Sequence, residues 1–206
     1  MKILVTGFEA FHGEEINPSE EIIKALAESA NEKLHTLVLP VEFKEAEKKL
    51  EEAVIRIQPE AIISLGQAAG REGITLERVA INVDDAKFPD NIGYQPIDTP
   101  IREEGQAAYF TTLPVKKMLD YLRANQIEAR ISNTAGTYVC NHVMYHALFL
   151  AETRYHSMKA GFVHVPYIKA QVMEKENAPY MELSDMIRAV EFLIRYLEEN
   201  DSAHSF

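Results

Sequence analysis

Apolar runs of four to six residues alternate along the chain with longer stretches whose apolar positions recur at helical period. The runs Lys2–Thr6, Thr36–Leu39, Ala61–Leu65, Ala129–Ser132 and Gly161–Val165 are too short for helices and predict buried strands. Between Phe43 and Ile57, Phe43, Ala46, Leu50, Ala53 and Ile57 share one helical face, with Lys and Glu elsewhere. Comparable stretches run from Pro18 to about Ala30, Leu113 to Asn125, Asn141 to Tyr155 and Asp185 to Glu199. No repeat or linker interrupts the alternation. It predicts an α/β fold: a single three-layer α/β/α domain over residues 1–200, built on a mostly parallel, mixed and twisted sheet. Residues 201–206 are expected to form a flexible C-terminal tail.

Two stretches break the pattern. The first, Gly7 to Pro18, joins the first strand to the first helix at the strand's carboxyl end, where open α/β sheets bind ligands. Asn17 is placed to cap that helix, with Pro18 in its first turn and Glu20 three residues on to complete a capping box. Phe8 and Phe11 in the same loop are unexpected in a merely solvated connection. The second stretch, Asp84 to about Tyr109, holds Pro89, Gly93, Pro96, Pro100 and Gly105, which exclude a continuous helix or central strand. A loop of this length in a compact domain suggests a lid, binding or interface element.

The 206 residues carry a formal net charge of −11, a field that repels phosphate backbones and anionic lipid. Nucleic acid and membrane are therefore excluded as expected partners, and the charge-broken apolar runs, without a leader-like start, predict a cytoplasmic protein. Cys140 is the only cysteine, which rules out an intrachain disulfide and a zinc site of several thiolates.

Nucleotide motifs are missing: there is no P-loop, and no G-x-G-x-x-G follows the first strand. Gly66-Gln67-Ala68-Ala69-Gly70 is the nearest approach, and any tight strand exit would produce it. His142 and His146 lie one helical turn apart but lack the glutamate of H-E-x-x-H and an identifiable third ligand, so no metal is expected. Nucleophilic catalysis is better supported. Cys140 sits where a strand passes into a helix, so the helix N-terminus favours its thiolate and offers amides for an oxyanion. His164, a polar residue in the apolar run Gly161–Val165, is the candidate base, and Glu77, a charge inside Ile74–Asn82, the candidate orienting carboxylate. Asp90, on the long loop, is the rival carboxylate. These features alone fit three readings: a peptidase, an amidase or acyltransferase with the same Cys and His, or a non-catalytic α/β module that binds a small cyclic amide or nucleoside base.

Five segments, in order, resemble the pyroglutamyl peptidase I family of cysteine peptidases: Phe8–Gly13 with Asn17-Pro18; Gly66–Gly70 leading to Glu77–Asn82; Pro89–Asn91; Ser132–Asn141; and His164–Ile168. The resemblance runs from Met1 to about Glu199. It implies an enzyme that removes N-terminal pyroglutamyl residues from peptides, with Cys140 as nucleophile, His164 as base and Glu77 as third member. It also implies a cytoplasmic homo-tetramer without cofactor, and a ring pocket made by Phe8, Phe11, Asn17, Gln67, Tyr138 and Val139. Two departures stand out: Ala10 and His12 replace a proline and a glycine usual in the first loop, and Lys87 replaces an arginine ahead of Pro89-Asp90.

Overall fold

Strand β1 (Ile3–Phe8) is buried along its whole length because both of its faces are covered. Ile3 and Val5 pack into one apolar cluster, and Leu4 and Phe8 into another. The computed structural model describes residues 1–201. In chain order the remaining elements are α1 (Pro18–Ala27), β2 (Leu34–Leu39), α2 (Phe43–Ile57), β3 (Ala61–Gln67), β4 (Ile74–Glu77), β5 (Val79–Ile81), β6 (Ala108–Phe110), α3 (Val115–Ala124), β7 (Ala129–Ser132), α4 (Val139–Thr153), β8 (Lys159–Val165), α5 (Lys169–Val172) and α6 (Leu183–Asp201).

Six strands form one sheet in the order β2-β1-β3-β8-β4-β7, and β5 pairs with β6 in a separate antiparallel ribbon. Within the main sheet only the β8–β4 junction is antiparallel, so the sheet is mixed and mostly parallel. Helices α2 and α4 cover one face, and α1, α3 and α6 the other. The three-layer α/β/α architecture read from the pattern is the one observed.

The boundaries shift for local reasons. Helix α1 stops at Ala27, and in the connection that follows Ser29 Oγ accepts the Asn31 amide and Asn31 Oδ1 the Lys33 amide. Asn17 caps α1 as expected, its Oδ1 accepting from the Ser19 amide at 3.0 Å, but Glu20 pairs with Lys24 at 3.0 Å instead of closing a capping box. Helix α4 begins two residues early, at Val139, and is buried nearly all round because it lies between the sheet and α2. Helix α6 takes in residue 201; the rest of the expected tail, 202–206, lies outside the described residues. Four short elements escape the periodicity: β4, β5, β6 and α5 have four residues or fewer each, too few to show a period.

Candidate active site

Strands β1, β2, β3 and β8 all run the same way, so their carboxyl ends share one edge of the sheet. A small cleft opens there, lined by Phe8, Phe11, Asn17, Val41, Gln67, Tyr138, Val139 and Cys140. All six residues expected in a ring pocket meet in it, together with the cysteine. Val41 is an addition, and its place just past the end of β2 is the same kind of signal that marked Phe8 and Gln67.

The loop carrying Phe11 turns back through His12 and Gly13, both left-handed (φ 54° and 78°), and closes with the Glu14 amide donating to the Phe11 carbonyl at 3.1 Å. Glycine takes that conformation freely; a histidine is disfavoured there, at a cost of order 1 kcal/mol. The His12 ring stacks on Phe88, with centroids 4.2 Å apart, and Phe88 packs on Tyr138. The departure at His12 thus bridges the two irregular loops. Ala10 offers its carbonyl to Asn91, whose amide also reaches Glu9 Oε1. Lys87 is exposed.

The catalytic candidates meet for a reason of register. In the antiparallel β8–β4 pair, His164 lies opposite Thr75 and Phe162 opposite Glu77, so His164 and Glu77 are diagonal neighbours on one face. His164 Nδ1 lies 2.8 Å from Glu77 Oε1. A carboxylate only accepts, so the neutral imidazole carries its proton on Nδ1 and keeps the Nε2 lone pair. Glu77 is fully buried, and Arg71 Nη2 reaches the same Oε1 at 3.3 Å. Glu77 Oε2 has no partner among the described residues.

Cys140 is the second residue of α4, inside the first turn, which the His142 amide closes by donating to the Tyr138 carbonyl. Amides this early in a helix have no intrahelical acceptor and face the cleft end of the helix. The sulfur lies against Gly66, where a Cβ would fall 2.8 Å from both Sγ and the Phe162 ring. Gly66 is the register partner of His164 across β3 and β8, so the thiol and the imidazole sit over adjacent strands. Among the described residues no hydrogen bond joins them. Burial pushes the Cys140 thiol up to about 12, and the nearby Glu77 carboxylate adds to the shift. Desolvation and a buried carboxylate thus oppose the pull of the helix N-terminus toward a thiolate.

Asp90 is occupied elsewhere. Its Oδ2 accepts the Phe43 amide at the start of α2, and its Oδ1 those of Ile92 and Tyr94. His142 and His146 face Glu47 and Glu51 of α2. His142 lies between Asp84 Oδ2 (2.8 Å) and Glu47 Oε2 (2.9 Å). Glu47, Glu51 and His146 come close enough to suggest a metal site, but Arg102 Nη2 sits 3.0 Å from His146 Nδ1. A guanidinium only donates, so Nδ1 is the acceptor and the neutral ring's proton is on Nε2, which leaves no lone pair toward the carboxylates. The chemistry of this donor set does not fit a metal ion.

The pyroglutamyl peptidase family model matches residues 1–199. The chain belongs to this family. A pyrrolidone-carboxylate peptidase from Clostridium perfringens is 48% identical over 203 residues, 98% of this chain and 95% of its own length. A pyrrolidone-carboxylate peptidase from Streptococcus pneumoniae is 48% identical over 94% of this chain and 91% of its own. Among solved structures, a mutant pyrrolidone carboxyl peptidase from the hyperthermophile Pyrococcus furiosus superposes with a TM-score of 0.91 at 42% identity, covering 97% of this chain and 99% of that one. The pyroglutamyl peptidase I of Bacillus amyloliquefaciens gives 0.88 at 39%, covering 93% of each. As a member of the pyroglutamyl peptidase family the chain is an enzyme, a hydrolase of the cysteine peptidase class. No helix among its described residues is long and apolar enough to cross a membrane.

Some residues that shape this peptidase's cleft gave no signal in the sequence. Asn141 is fully buried, and its side-chain amide pairs with both the N–H and the C=O of Ile81, tying the start of α4 to the strand just after Glu77. Arg71 and Gln171 act on Glu77 and Gln67 through contacts that only the fold creates.

Proposed function

We propose that the protein removes N-terminal pyroglutamyl residues from peptides, through Cys140, His164 and Glu77 and a thioester acyl-enzyme. The observation that carries this reading is an apolar cleft that ends on Cys140 and lies beside the buried His164–Glu77 pair. Substrate binding brings the scissile carbonyl to the thiol. His164 Nε2 takes the thiol proton as sulfur attacks, and the thiolate's pair forms the new S–C bond. The oxyanion faces the unpaired amides at the start of α4. On collapse, the imidazolium gives its proton to the departing amine, and Glu77 stabilises the cation in between. Water, deprotonated by the same Nε2, then cleaves the thioester and releases pyroglutamate.

The ring pocket of Phe8, Phe11, Asn17, Gln67, Tyr138 and Val139 suits a neutral lactam. An N-terminal proline would bring a charged amine whose burial without a partner costs several kcal/mol, on the order of the desolvation penalty for one ion. The protein acts without a cofactor and, by family resemblance, as a cytoplasmic homo-tetramer. Release of a chromophore from a pyroglutamyl amide, with the prolyl amide as control, tests the reading. Fast release from the first and negligible release from the second is expected; equal rates would refute it.

A further inference from the structure

Gln171, on the one-turn helix α5, is nearly buried, and its amide joins three segments around the mouth of the cleft. Its Oε1 accepts the Ile168 amide at 3.1 Å. Its Nε2 reaches the Ile16 carbonyl at 3.0 Å, Gln67 Oε1 at 2.8 Å and Glu14 Oε2 at 3.4 Å. Outside it, Lys175 holds Glu14 Oε1 at 2.9 Å.

The orientation of this amide is not a free choice. The Ile168 N–H can only donate, so the Gln171 atom facing it is oxygen. The Ile16 carbonyl can only accept, so the other atom is nitrogen. The Gln67 atom that meets this nitrogen must then be an acceptor. Gln67 therefore turns its oxygen away from solvent toward Gln171 and keeps both N–H donors, which no group among the described residues takes up. Gln67 lines the cleft beside Cys140. Asn17 is more heavily committed: its Oδ1 accepts from the Ser19 amide and hydroxyl and one Nδ2 hydrogen goes to the Glu9 carbonyl, which leaves it a single N–H against the two of Gln67.

We infer that Gln171 is a specificity-positioning residue: by holding the oxygen of Gln67, it makes the cleft present a hydrogen-bond donor, and so select acyl groups that carry a ring carbonyl. This rests on the function proposed above and adds to it the residue that fixes the polarity of the pocket. A prolyl ring has no carbonyl to offer that donor. Gln171 touches no reacting atom, so its removal acts on the choice of substrate and on KM, not on the thiol.

The test compares pyroglutamyl and prolyl amides, and the rate at which iodoacetamide alkylates Cys140, in Gln171→Met, Gln171→Glu, Gln67→Met and the Gln67→Met/Gln171→Met pair. Gln171→Met frees Gln67 to rotate, and kcat/KM for the pyroglutamyl amide should fall about tenfold to hundredfold through KM, the loss expected for one well-made hydrogen bond. Gln171→Glu, which can only accept, should turn the Gln67 nitrogen away from the cleft and lower the pyroglutamyl preference further. Alkylation rates should stay near wild type in both. In the Gln67→Met background, Gln171→Met should add nothing to the loss of preference. Full preference in a folded Gln171→Met protein, or losses that simply add in the pair, would overturn the inference. If a single variant fails to fold, the other single variant and the pair still decide it. A wild-type protein without pyroglutamyl preference would instead refute the underlying function.

Discussion

Cys140 has to ionise in a place that resists ionisation. With its thiol pushed up to about 12 by burial and by Glu77, Cys140 gives up its proton, in the proposed mechanism, only as His164 takes it. Alkylation of Cys140 by iodoacetamide should therefore rise steadily from neutral to alkaline pH. A preformed thiolate–imidazolium pair would instead give a plateau reaching into the acid range, and observing one would contradict that step. The carboxylate assignment can be tested in the same spirit. Glu77→Gln leaves the shape of the site but cannot stabilise the imidazolium, and turnover should fall on the order of a thousandfold, as should that of His164→Ala. Asp90→Asn turns one of the two acceptors for backbone amides into a donor, so it should show mainly in the thermal midpoint. A larger turnover loss in Asp90→Asn than in Glu77→Gln would reverse the roles.

Among the elements, the start of α1 and the α2–α4 pair make the sharpest claims. Asn17 has committed its oxygen to the cap and one N–H to Glu9, so Asn17→Ala should cost about 1 kcal/mol of stability. The variant should keep its pyroglutamyl-over-prolyl preference, measured beside the thermal midpoint, because Gln67 supplies the donor; loss of the preference at unchanged stability would make Asn17 a reader of the lactam. Between α2 and α4, burial opposes charge on His142, but the carboxylates of Asp84 and Glu47 outweigh it and raise the imidazole to about 9. For His146, burial wins and the ring is pushed down to about 4, despite Glu47 and with help from Arg102. Unfolded, both histidines titrate near ~6.5. The stability from His142 is full below that value and is lost as pH rises through about 9; His146 costs stability as pH falls from that value toward about 4. Thermal midpoints should thus fall on both sides of neutral-to-weakly-acid pH, and His142→Gln should remove most of the alkaline decline. An unchanged alkaline limb would show that His142 is not charged in the fold.

At the scale of the whole molecule, the layers were legible because a sheet covered on both faces writes itself as continuous apolar runs, as in Ala61–Leu65, where successive side chains enter opposite clusters. Strand β4, between β8 and the edge strand β7, was not legible as a strand, since Thr75 and Glu77 break its four-residue apolar run. The cysteine and its loop could be read because local geometry, a strand passing into a helix, carries their chemistry. Gln171 and Arg71 could not be read, because each gains its role from a partner brought close only by the fold. The choice between Glu77 and Asp90 is likewise a matter of register: the diagonal across β8 and β4 puts Glu77 against His164, which favours its proposed role. The whole arrangement converges on one sulfur atom, so the most direct measurement is pyroglutamyl-amide turnover by wild-type protein and by Cys140→Ala, both confirmed folded by thermal midpoint. Turnover by the wild type and none above background by the variant is the predicted result; a folded Cys140→Ala protein that still releases pyroglutamate at the wild-type rate would contradict the account.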